Sequence, residues 1–278
     1  MKHLYLCFPN GRRKALTLSY DDGRIEDRRL VSIFNRYGLK ATFHLNSGYL
    51  EGKDIEEESR YGKRISAGEA AALYQGHEIA CHTVTHPTME RTPFSNLIGQ
   101  IMEDRMALER LAGYPVCGFS YPNGSCSDEI KGLLKNLGIE YARTVGNTDG
   151  FAMPKDFMEW KATCHHSNRL LELTEEFLSR DKDQLLELMY VWGHSYEFTR
   201  DDNWELIEEF AAKAGGRKEI WYAANIEIVR YKQAFDRLIF MADSSAVYNP
   251  SSISVWLDVD GSVIEAVPGK ITNIVLNP

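Results

Sequence analysis

The chain has no Cys-x-x-Cys pair, no concentrated run of Lys or Arg, and no apolar stretch near the roughly 18 residues that a membrane helix needs. Each absence removes a class of function. The five cysteines, Cys7, Cys81, Cys117, Cys126 and Cys164, are odd in number and irregular in spacing. They read as buried free thiols in a reducing compartment, not as a zinc knuckle or a redox pair. With a net charge of -8 there is no basic stripe to neutralise phosphates, which excludes a nucleic-acid surface and leaves neutral or cationic small substrates as partners. The opening segment, Met1 to Pro9, is too short to be the apolar core of a signal peptide. The chain as given therefore reads as cytoplasmic, or as exported if a signal peptide has been removed. It has no internal repeats and no low-complexity segments, and nothing in it specifies an oligomeric state.

What the sequence does have is an alternation of short apolar runs with amphipathic stretches from Ala15 to about Tyr222. That is the pattern of βα units around a parallel sheet, and 278 residues suffice for one large barrel core. Strands are expected at 15–20, 40–45, 77–81, 117–121, 141–145, 160–164, 188–192 and 220–224. Helices are expected at 25–37, after Ser66, from Ser95 to about Leu111, at 127–137, and after Asn168 and Asn203. Ser66 with Glu69 suggests a capping box, and Ser95 a second cap. Beyond Asp243 the text changes to alternating β-formers, with Asp260-Gly261 as a hairpin turn. The expected organisation is an α/β fold: an irregular (β/α) barrel of about seven strands over 1–242, followed by a small β appendage over 243–278.

Two motifs carry chemistry. The first is Ser19-Tyr20-Asp21-Asp22-Gly23, two carboxylates at the C-terminal end of a strand, the end that faces the active site in parallel α/β folds. Neighbouring residues leaving a strand point in different directions, so one Asp can hold a metal while the other faces a water molecule. The second is Gly76-His77-Glu78-Ile79-Ala80-Cys81-His82-Thr83-Val84-Thr85-His86-Pro87. If that segment forms a helical turn, His82 and His86 share a face and can reach one ion. Two imidazoles and one carboxylate suit zinc foremost, with cobalt, nickel or manganese as alternatives, and leave positions open for water and substrate. Taken alone, Asp-Asp-Gly also fits an ordinary surface turn, and a pair of histidines can fall four apart by chance.

In this order and separation the two motifs resemble the polysaccharide deacetylase family, with its NodB homology domain and carbohydrate esterase family 4 members. The resemblance implies an irregular (β/α) barrel that hydrolyses N- or O-acetyl groups on an oligo- or polysaccharide with a divalent metal. Residue by residue it implies Asp22, His82 and His86 as metal ligands and Asp21 as catalytic base. The family's Arg-x-Pro-Tyr/Phe-Gly motif is matched by Ser120-Tyr121-Pro122-Asn123-Gly124, with Ser120 where the family has the arginine that orients the base. Arg143 on the following strand is a possible replacement. Tyr121, Pro122, Asn123 and Trp192 are the expected substrate-binding residues, with the Asn123 amide as an oxyanion donor. A fourth family motif has a loose counterpart in Asp156 to Trp160. The fifth is matched by Leu188 to His194, which makes His194 the candidate general acid. Cys164-His165-His166 reads as loop or pocket wall, because adjacent histidines at a strand end normally diverge. Two alternatives stay open: hydrolysis of a small cyclic amide on the same barrel, and a catalytically weakened carbohydrate-binding protein.

Overall fold

The computed structural model describes residues 3–50, 62–181 and 184–274. The first strand, β1 (Leu4–Cys7), leads into β2 (Lys14–Asp21), which is buried from Ala15 onward because both of its faces are covered. There follow α1 (Asp27–Arg36), β3 (Ala41–Leu45), a one-turn α2 (Ser47–Leu50), α3 (Ala67–Leu73), β4 (Glu78–Cys81) and α4 (Phe94–Ala112). Next come β5 (Gly118–Ser120), α5 (Asp128–Asn136), β6 (Tyr141–Asn147), β7 (Trp160–Ala162), β8 (Cys164–His165) and α6 (Leu170–Ser179). The last units are β9 (Glu187–Gly193), α7 (Tyr196–Arg200), α8 (Trp204–Ala214), β10 (Ile220–Tyr222) and α9 (Asn225–Asp236).

The central sheet is parallel, in the order β7-β6-β5-β4-β3-β2-β9-β8, with β10 beside the start of β2. The strands at its two ends, β7 and β8, are consecutive pieces of one strand broken at Thr163. That broken strand pairs with β6 on one side (Arg143 with Trp160) and β9 on the other (Cys164 with Val191), so the sheet closes into an irregular barrel. The single strand expected at 160–164 is this pair. Thr163 bridges the gap, donating its N–H to Tyr190 O (2.8 Å) and its hydroxyl to Gly150 O (2.9 Å).

Helices bury the faces their periodicity predicts: Leu30, Ile33 and Phe34 of α1 pack inward, and Leu97, Ile101 and Leu108 do so from α4. Two capping expectations fail. Ser66 precedes α3 without a side-chain cap, although Glu69 accepts from the Ser66 backbone while it pairs with Arg28 (2.5 and 2.7 Å). Ser95 lies inside α4, which begins after Pro93. Toward the C-terminus, β11 (Ile239–Phe240), β12 (Ala246–Tyr248) and β15 (Ile271–Asn273) form one small antiparallel sheet. β13 (Val255–Val259) and β14 (Ser262–Ala266) form the expected hairpin, with φ of 51° at Asp260 and 86° at Gly261 in its two-residue turn, and β1 joins them as a third strand. The last four residues of the expected appendage lie outside the described residues. All five cysteines are free, and four of them are buried. Among the described residues no helix is long and apolar enough to cross a membrane.

Candidate active site

The C-terminal ends of the barrel strands open onto a cleft of about 630 Å³. Asp21, the last residue of β2, pairs in register with His44 of β3. Its carboxylate is 3% exposed and surrounded: it forms an ion pair with Arg143, lies 3.3 Å from His44 Nδ1 and 3.7 Å from His82 Nε2, and accepts the Ser120 hydroxyl at 3.3 Å. Burial alone would raise this carboxyl, but Arg143, then His82 and His44, hold it well below the usual carboxylate range. Arg143 faces Ser120 across the β5–β6 pairing, so the guanidinium arrives from the neighbouring strand at the position where Ser120 is too short to supply it. Its far side stacks on Trp192, 4.3 Å from the ring centre.

Asp22 follows in a left-handed conformation (φ 86°), and Gly23 (φ 63°) continues the turn. Thr83 (φ 67°), His86 (φ 55°) and Asn123 (φ 56°) share that conformation. Non-glycine residues there cost on the order of 1 kcal/mol or more each, and such strain clusters at functional sites. The expected helical turn between His82 and His86 is absent. Left-handed kinks, fixed by His86 N–H donating to Thr83 Oγ1 at 3.0 Å, bring the two rings to 4.7 Å in an edge-to-face arrangement. Donor atoms of Asp22, His82 and His86 all lie within 4.8 Å of one another.

The chemistry of this donor set fits a divalent ion. His82 Nδ1 sits 2.8 Å from the Ser120 carbonyl, which can only accept, so Nδ1 carries the proton and Nε2 offers its lone pair to the cleft. Burial pushes His82 down to about 3, so the ring is neutral as a ligand must be. Asp22 is also lowered: its own burial would raise it, but Arg64, His194 and His82 outweigh that. Arg64 bonds the Asp22 carbonyl and lies 3.4 Å from Oδ1.

The opposite wall carries His194, just past β9. Burial would lower its pKa, but the bond to Glu197 and the charges of Asp21 and Asp22 raise it above the ordinary value of 6.5. Glu197 Oε2 accepts His194 N–H at 3.2 Å and lies 3.5 Å from His194 Nδ1. Tyr121, Asn123 and Trp192 line the cleft, whereas Pro122 is buried and is not among the lining residues. The Tyr121 hydroxyl donates to Met158 O at 2.7 Å. Asp156 is not brought to His194; it caps Met158 N at 2.8 Å and faces Lys131.

Sequence reasoning missed His44, Arg64 and Glu197. His44 was accessible in principle, since parallel strands ending at 21 and 45 set it beside Asp21. Glu197 stands one helical turn after His194, a spacing that places the two together only if a helix begins there. Arg64 has no sequence signal.

Residues 9–142 match the model of the polysaccharide deacetylase family. No curated protein sequence matches the chain significantly. Among solved structures, a Mycobacterium smegmatis protein assigned as a polysaccharide deacetylase superposes with a TM-score of 0.60 at 16% identity, covering 84% of this chain and 94% of that one. The 4-alpha-glucanotransferase of Thermococcus litoralis gives 0.58 at 15% identity over 79% of this chain and 40% of its own. The carbohydrate esterase family 4 domain of a multidomain xylanase from the hindgut metagenome of Trinervitermes trinervoides gives 0.52 at 17%, with 80% and 92% covered. At these identities the likeness is one of fold, and a glucanotransferase among them shows that the barrel alone does not specify the reaction. Just under half of the chain, residues 9–142, is thus similar to the polysaccharide deacetylase family.

Proposed function

We propose that the chain is a metal-dependent hydrolase that removes acetyl groups from the N or O of an acetylated carbohydrate. One observation carries the reading: a His-His-Asp donor set, an ionised Asp21 and a His194 of raised pKa all face one cleft. Asp22, His82 and His86 would hold the ion, with zinc best suited to two imidazoles and a carboxylate. When bound, it supplies Lewis-acid polarisation of the acetyl carbonyl and of water.

The remaining work falls to the chain's own side chains. Asp21, kept ionised by Arg143, accepts a proton from the attacking water. The Asn123 amide donates to the oxygen on which negative charge develops. His194 passes its proton to the departing sugar nitrogen or oxygen as the C–N or C–O bond breaks and acetate leaves. Trp192 and Tyr196 line the cleft where a sugar would sit.

Acetate release from a panel of N-acetylated and O-acetylated oligosaccharides, with and without chelator and with zinc or cobalt restored, tests this. Chelator-sensitive, metal-restored release supports it and narrows the substrate. A metal-loaded chain that releases no acetate from any member of the panel counts against it.

A further inference from the structure

His165 and His166 end β8 side by side, where adjacent side chains are expected to diverge. They do not. Their ring centres lie 4.4 Å apart, and both Nε2 atoms approach a single oxygen, Oε2 of Glu197, at 3.0 and 3.2 Å. Among the described residues, these three and the Asp22–His82–His86 set are the two groups whose donor atoms could share one ion.

The cluster is closely built. Phe198 stacks on the His166 ring at 4.2 Å, and His166 N–H is anchored to Trp192 O at 2.8 Å. Gly193 packs so closely that a Cβ there would sit 2.0 Å from His166 Nδ1. His165 Nδ1 lies 2.7 Å from Ser167 Oγ and accepts the Ser167 backbone N–H at 3.2 Å, contacts that fix the orientation of the ring. At the rim, His194 Nδ1 is 3.5 Å from the same Glu197 oxygen.

We propose that His165, His166 and Glu197 form a second divalent-cation site, separate from the Asp22–His82–His86 set. Around a tetrahedral ion with bonds of about 2.0–2.2 Å, neighbouring ligand atoms stand roughly 3.3 Å apart. The two imidazole-to-carboxylate separations lie within a few tenths of an ångström of that spacing. Two nitrogens and one carboxylate oxygen select zinc or cobalt over magnesium or calcium, and leave a position open. The inference does not depend on the deacetylase reading, since its readout is the number of ions held.

The test is a titration of the chelator-stripped full chain with zinc, read by calorimetry and by elemental analysis after desalting, and with cobalt, read by visible absorption. Wild type is expected to hold two ions per chain, Asp22→Ala one, Glu197→Gln one, and the double variant none. Glu197→Gln is isosteric and keeps an acceptor for the imidazoles, so far-ultraviolet circular dichroism should show it folded. Cobalt absorption in Asp22→Ala that vanishes on adding Glu197→Gln assigns the second ion to this cluster. One ion in wild type that only Asp22→Ala removes, or two ions that persist in Glu197→Gln, overturns the proposal and leaves a hydrogen-bonded cluster only. Two ions that persist in Asp22→Ala would instead count against the first site.

Discussion

Two walls of one cleft are built from the same residue types and shift a histidine pKa in opposite directions. On one, His82 is sealed beside carboxylates that are already satisfied, Asp21 by Arg143 and Asp22 by Arg64, and burial leaves it neutral at about 3. On the other, His194 faces Glu197, and its pKa rises despite burial. The difference lies in the balance between burial and the surrounding carboxylates. At His82 burial outweighs the pull of Asp21 and Asp22; at His194 the bond to Glu197 and the charges of the same two aspartates outweigh burial. His166, 3.2 Å from Glu197 Oε2, is pushed down to about 3 by burial and the neighbouring His165, so a close carboxylate alone does not decide the outcome.

Substitutions on each wall sharpen or break this contrast. The largest effect is expected for Asp22→Ala, which should empty the His82 wall of its ion and lower turnover on the order of a thousandfold or more; metal content and acetate release, measured together, check it. Asp21→Asn should retain the ion yet lose about 10²–10⁴ in kcat, the usual contribution of a general base. An active Asp21→Asn enzyme would sink the proposed scheme.

Glu197→Gln addresses the other wall through pH. His194 must be protonated to act as an acid, so activity falls as pH rises through its pKa, which lies above 6.5 in the native chain. Removing the carboxylate that raises it should move the alkaline limb of kcat against pH to lower values, with a loss of about tenfold at neutral pH. An unmoved limb would show that Glu197 does not tune His194. The smallest change is Gly193→Ala, whose added Cβ overlaps His166. It should cost about 1–3 kcal/mol by denaturant unfolding while leaving zinc binding at Asp22 intact.

Much of the fold was legible before any coordinates. The βα rhythm, the ends of α1 and α5 and the Asp260-Gly261 hairpin follow from local periodicity and turn chemistry, which act over a few residues. The failures are equally local in origin. Ser66 and Ser95 match the pattern of caps, but the Ser66 side chain makes no cap bond and Pro93 sets the start of α4. The break at Thr163 was invisible because 160–164 is continuous in character and divided only by pairing with two different strands.

The sequence by itself determined which ligand-type residues exist, that Asp21 and Asp22 end a strand, and that His82, His86 and His194 follow others. Only the tertiary structure decided their partners. Asp21 and Arg143 are 122 residues apart, on strands that do not pair, and meet because β2 and β6 both face the one cleft. His165 and His166 turn toward Glu197 because the barrel closes at β8 and β9 and Gly193 leaves room for an imidazole. Protonation is settled at the same level: a carboxylate or an imidazole carries its charge according to burial and the nearest opposite charge, and both are properties of the packed barrel.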